Sequence, residues 1–176
     1  MAETAVMPSA IGAILDRDLR ALQREVEAYP EEREIWRVVP GMANVAGTLV
    51  LHLTGNLQHY FGARLGGTDY VRDRTAEFAR RDVPRSELLR EIEAARAAVK
   101  AGLAKLSDAQ LVAEFPEIIG DSRVATGEYL VHLTTHFAYH LGQVDYHRRV
   151  VTGNESGVGA VRPSELSSAR PSAVQA

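Results

Sequence analysis

The chain has 176 residues, 45% of them apolar and 24% charged, with a formal net charge of −3. These proportions suit one globular domain with a sizeable core, and the sequence lacks the basic block that phosphate neutralisation needs, so nucleic-acid binding is not expected. No apolar run approaches the ~18 residues of a membrane span, and Met1-Ala-Glu-Thr-Ala-Val-Met-Pro8 has neither the basic nor the apolar stretch of a secretory signal.

Residues 9–29 read as a first helix. Ser9 can cap it, and Ile11, Ile14, Leu15, Leu19, Leu22 and Val26 recur at helical spacing. Pro30 ends the pattern. A charged connector follows, with Trp36, Ile35, Val38 and Val39 able to pack over an end of the fold, and Pro40-Gly41 signals a turn. The second helix spans 44–65, with Val45, Leu49, Leu53, Leu57 and Tyr60 as its stripe, and Gly66-Gly67 stops it. Residues 66–84 read as a long charged loop, a length more often functional than idle. A third helix runs from near Ser86 to about Leu106, lined by Leu88, Leu89, Ile92, Ala95, Val99 and Leu103. Residues 109–112 allow one short turn, and 117–125 read as extended or irregular. The fourth helix covers about 126–150, with Thr126 as its expected N-cap.

No segment carries a credible strand pattern. The expected fold is therefore all-α, a four-helix bundle with long connections after helices two and three. Residues 1–152 are expected to form the single domain, and the Gly-, Ser- and Pro-rich stretch 153–176 a flexible tail.

The chain has six histidines. Three lie four residues apart on the fourth helix, as His132, His136 and His140, and His52 lies far upstream in Leu51-His-Leu-Thr-Gly-Asn56. Residues four apart share a helix face. Measured from the apolar stripe of Leu130, Leu133, Phe137, Leu141 and Val144, His140 lies roughly 60° away, His147 roughly 80°, His136 roughly 100° and His132 roughly 140°. His136 and His140 are the best-placed consecutive pair. His140 with His147 is a geometric alternative, and His132 points outward. His52 lies about 95° from its own stripe, with Asn56 nearer the core and His59 further out. His52, His136 and His140 together would form a site at the edge of the core. Three protein ligands leave a coordination position open, which suits catalysis. Each histidine taken singly reads first as an ordinary hydrogen-bonded or surface residue, and it is the facing of His52 and the pair on one flank that points to a metal.

Other chemistries lack their motifs. There is no H-E-x-x-H, no paired Glu-x-x-His, no P-loop and no G-x-G-x-x-G after a strand. Cysteine is absent, which removes disulfides, thiolate ligands and a protein thiol nucleophile. Its absence agrees with a cytoplasmic location. Any thiol in the chemistry must arrive with a substrate.

His52-Leu-Thr-Gly-Asn56 and His136-Phe-Ala-Tyr-His140-Leu-Gly-Gln143 resemble motifs of the DinB-like (DinB/YfiT-like) superfamily of metalloenzymes. Tyr70-Val-Arg72-Asp-Arg74-Thr-Ala-Glu77-Phe78 resembles the Arg-x-Arg…Glu-Phe stretch that one branch carries after its second helix. The resemblance covers about residues 9–152. It implies a four-helix bundle binding a divalent metal, zinc or nickel, through His52, His136 and His140. It also implies a metal-dependent transferase of small molecules that uses a low-molecular-weight thiol co-substrate, in a homodimer. Arg72 or Arg74 would then neutralise a carboxylate on thiol or substrate, and Asn56 and Gln143 would orient a ligand histidine or bound water. Arg72 and Arg74 with Glu77 read more readily as a salt-bridge cluster fixing the loop, and Asn56 and Gln143 equally well as ordinary helix-to-helix hydrogen bonds. A metal-dependent hydrolase, or a non-catalytic metal-binding or stress-response protein, would fit the same pattern.

Overall fold

The computed structural model describes residues 6–171. Residues 1–5 and 172–176, parts of the N-terminal segment and of the expected tail, lie outside the described residues. Among the described residues there are six α-helices, four of them long, and no strand. None is long and apolar enough to cross a membrane.

Helix α1, Val6–Glu27, begins ahead of Ser9 and buries Leu15, Leu19, Leu22 and Val26 on one face. Helix α2, Ala46–Leu57, is buried all round. It continues without a break into a π-helical segment, Gln58–Leu65, whose wider turn is closed by the Gly66 amide donating to the Phe61 carbonyl at 2.8 Å. The stretch 66–84, expected to be a loop, contains a short helix α3, Arg74–Ala79. Its N-cap is Asp73, whose carboxylate accepts from the Ala76 amide at 2.8 Å. Helix α4, Arg85–Leu103, places Leu88, Ile92, Ala95 and Val99 in the core.

Helix α5, Asp108–Val112, is one short turn opened by a capping box between Ser107 and Gln110. Two isolated bridges, Glu114 with Ala125 and Ile119 with Ser122, pin the connection that follows. Helix α6 spans Thr126–Thr152. Its N-cap is Ala125 rather than Thr126: Ala125 has the extended backbone of a cap, Thr126 is already helical, and the Thr126 amide donates to the Ala113 carbonyl at 2.8 Å. Gly153, at φ 69°, ends the helix in the left-handed conformation.

Helix α1 packs against α4 and α6, and α2 packs against the same two helices. Leu49, Leu53, Leu57, Phe61, Leu130, Leu133, Phe137 and Val144 join the α1 and α4 stripes in one core. The first connection holds a 3-10 turn, Glu32–Trp36, with Ile35 and Trp36 buried and Val38 exposed. The Trp36 indole donates to the Val83 carbonyl at 3.2 Å, tying that connection to the one before α4. Part of the stretch beyond Gly153 is held by Arg24, which donates to the carbonyls of Val158 and Gly159 and pairs with Glu165.

Candidate metal centre

Helix α2 delivers His52 and helix α6 delivers His136 and His140, one turn apart on the same flank. One ligand atom from each lies within 4.8 Å of the other two. His52 Nε2 faces His136 Nε2 at 3.3 Å. The ring centroids stand 5.2 Å apart for His52 and His136, 5.4 Å for His52 and His140, and 4.7 Å for His136 and His140. His52 is buried, while His136 and His140 are half-buried. The cluster therefore sits at the edge of the core and opens to one side.

The hydrogen bonds around the rings set their tautomers. His52 Nδ1–H donates to Glu77 Oε2 at 3.0 Å, and His140 Nδ1–H donates to Gln143 Oε1 at 2.7 Å. Each leaves a lone pair on Nε2. Metal-ligating imidazoles are oriented in this way, by a carboxylate or carbonyl on the other nitrogen. Burial, then the neighbouring His140 and His52, push the His136 imidazole down to about 4. Burial likewise lowers His140, against the bond to Gln143. Neutral imidazoles are the ligand form. The donor set fits a divalent metal.

Helix α3 closes over His52. Phe78 lies 5.0 Å from the His52 ring, centroid to centroid. The buried Glu77 carboxylate takes Arg72 Nε on one oxygen at 2.7 Å and Arg72 Nη2 on the other at 2.9 Å. Burial pushes that carboxyl up, but Arg72 and His52 outweigh it and hold it below its ordinary range. Arg72 also lies 5.8 Å from the Tyr60 ring centroid. Arg74 is exposed and stacks on the outer side of Phe78, 5.2 Å from its centroid. Asn56 is buried one turn along from His52, with no side-chain hydrogen bond among the described residues.

The remaining histidines stay outside the cluster. His132 is exposed and stacks on Tyr129, and His59 pairs with Glu117 at 2.8 Å. His147 is buried between the Tyr29 hydroxyl at 2.7 Å and the Arg37 carbonyl at 2.8 Å, so both its nitrogens are used within the protein. A cavity of about 900 Å³ between α1 and α4, lined by Leu19, Val99 and Leu103, is not lined by any of the three histidines.

The family model for mycothiol-S-transferase matches residues 10–153. That match runs from α1 to the end of α6 and includes all three clustered histidines. The chain belongs to the mycothiol-S-transferase family. The family lies within the DinB/YfiT-like superfamily, as the histidine motifs implied. No curated protein and no solved structure matches the chain. Within this mycothiol-S-transferase family member the residue that motif reading underused is Glu77. It lies in the Arg-x-Arg…Glu-Phe stretch, but its bond to His52 spans 25 residues and depends on a short helix inside a presumed loop. The local signal for that helix was Asp73, a good N-cap three residues before Ala76.

Proposed function

We propose that this chain joins a low-molecular-weight thiol, mycothiol being the one in the family's name, to a small electrophile at a divalent metal. His52, His136 and His140 would hold the ion, zinc or nickel. The observation that carries this reading is three buried or half-buried imidazoles with one ligand atom each within 4.8 Å of the others, two of them held on Nδ1 by Glu77 and Gln143 so that Nε2 keeps its lone pair. A divalent cation there supplies Lewis acidity, which lowers the pKa of a thiol that reaches the open position. This answers the absence of cysteine: the nucleophilic sulfur belongs to the co-substrate. The S–H proton passes to solvent, a carbon–sulfur bond forms, and the bond from that carbon to the leaving group breaks as the group departs.

The protein's own residues bind and orient. Arg72 is committed to Glu77 and holds the wall of the site. Arg74 makes no ion pair among the described residues, and its guanidinium would pair with a carboxylate on the thiol or the electrophile. Asn56 offers an amide to a bound polar group, and Gln143 orients His140. Because each of the four long helices packs on two others, the reading takes them as a four-helix bundle with the site between α2 and α6. It also takes the protein as a cytoplasmic homodimer, with exposed Tyr139, Tyr146 and Val150 on α6 as the contact face.

Two measurements test the proposal. Purified protein should hold stoichiometric zinc or nickel, and His52→Ala and His136→Ala should lose it. Thiol conjugation to a haloalkane should favour mycothiol over glutathione and stop when a chelator removes the metal. Conjugation that survives metal removal, or metal content unchanged in both variants, would sink it. Arg74→Ala should raise KM for the carboxylate-bearing partner with kcat little changed.

A further inference from the structure

Helix α2 passes the site with a glycine where every neighbour carries a side chain. A methyl group on Gly55 would lie inside the contact distance of Glu77 Oε1, 3.0 Å from Glu77 Cδ and 3.2 Å from the Tyr70 hydroxyl. The Glu77 carboxylate thus rests directly on the backbone of α2. It has no slack on its other sides. Oε1 accepts from Arg72 Nε, and Oε2 accepts from both Arg72 Nη2 and His52 Nδ1. Arg72 Nη2 itself stands 3.4 Å from His52 Nδ1. A side chain at residue 55 would push the carboxylate outward and leave a buried guanidinium facing the imidazole alone.

We propose that Gly55, Glu77 and Arg72 work as one positioning unit for His52. Gly55 supplies the gap, Glu77 fixes the Nδ1–H tautomer and the ring plane, and Arg72 anchors Glu77. The proposal rests on the metal-ligand reading of His52, and it adds that the ligand is set by a glycine three residues along its own helix and a carboxylate on α3. A carboxylate on the distal nitrogen raises ligand basicity, and its loss typically costs ~10–100-fold in metal affinity. A glycine that acts only through that carboxylate has no effect once the carboxylate is gone.

Zinc affinity, measured by competition with a chromophoric chelator, is the first readout. Glu77→Ala is expected to weaken zinc binding ~10–100-fold, and Gly55→Ala by a similar factor. Adding Gly55→Ala to Glu77→Ala should change nothing further. Glu77→Gln keeps the volume and guards against misfolding; it should weaken binding ~10-fold or more. Additive losses in the double variant, or wild-type affinity in Glu77→Ala and Glu77→Gln, would overturn the proposal. The second readout needs no metal. In metal-free protein the His52 Nδ1–H proton should give a slowly exchanging downfield NMR resonance that Gly55→Ala and Glu77→Ala abolish and His136→Ala preserves. If the wild type binds no zinc, the metal reading fails, and this resonance alone decides the positioning unit. Its absence from the wild type, or its survival in both variants, counts against the unit.

Discussion

His136 and His147 stand on the same helix, and burial pushes both imidazoles toward the neutral form, yet they serve different ends. His147 spends both nitrogens on the protein, accepting from Tyr29 and donating to the Arg37 carbonyl. Among the described residues, the only hydrogen-bond partner of the His136 Nε2 is another imidazole. That difference separates a structural histidine from a candidate ligand, and helical angle alone does not. The angles put His147 closer to the core than His136, and the partners that decide its role lie 118 and 110 residues away. The i, i+4 pair itself was legible, since spacing is local. The role of His147 has a consequence in pH. Its folded pKa lies below the ordinary 6.5, so the unfolded chain takes the proton first as pH falls. The stability it contributes is present above about pH 6.5 and lost below it. Urea titrations of metal-free protein at pH 7.5 and 5.5 should show a falling midpoint, and His147→Gln should flatten part of that fall. An unchanged slope in the variant would remove His147 as the cause. Tyr29→Phe leaves buried Nδ1 without a donor and is expected to cost about 1–3 kcal/mol at neutral pH.

The apolar stripes of all four long helices could be read from period alone, because Leu15, Leu19 and Leu22, or Leu88, Ile92 and Ala95, repeat at helical spacing and all reach the core. The π-helical segment could not. It lies where the chain approaches α4, a long-range contact that no local pattern encodes. Gly102 on α4 lies against the Phe61 backbone, and an added Cβ would overlap the Phe61 carbonyl oxygen and sit 3.0 Å from its carbon. These are backbone atoms of a buried residue, so they cannot swing aside. Gly102→Ala gains ~1 kcal/mol in helix propensity, but overpacking of this kind costs ~1–3 kcal/mol. The expected result is a net loss in urea midpoint with an unchanged m value. Gly142 on α6 is the contrast: it is exposed, and a Cβ there would meet nothing within 4 Å. Gly142→Ala should raise stability by ~0.5–1 kcal/mol. If both substitutions move the midpoint the same way, propensity rather than interhelix contact governs the two sites.

The molecule is held at the end remote from Gly66-Gly67 by charge as well as by packing. Arg148, 1% exposed, pairs with Glu25, 0% exposed, and so joins α6 to α1 through the interior. Its Nη2 donates to Asp145 Oδ1 at 3.1 Å and to the carbonyl of Ser156 at 2.9 Å, and the second bond carries the connection on into the chain beyond α6. No local pattern in the sequence pairs Arg148 with Glu25, 123 residues away. Such a pair specifies more than it stabilises, because two charges must leave water before they attract. Removing one partner is a different matter. Arg148→Met strands the Glu25 carboxylate in the core and is expected to cost ~3–5 kcal/mol. Glu25→Leu with Arg148→Met removes both charges; Asp145 loses Arg148 but keeps its pair with Arg149 at 2.8 Å, and the backbone carbonyls of Asn154 and Ser156 belong to exposed residues and can turn to water. The double variant should therefore recover most of the loss, to within ~1 kcal/mol of wild type. Equilibrium unfolding of the three proteins in urea measures this directly. A double variant as unstable as Arg148→Met would mean that Arg148 acts chiefly by holding the segment after Gly153, and that the link from α6 to that segment, rather than to α1, dominates this end of the fold.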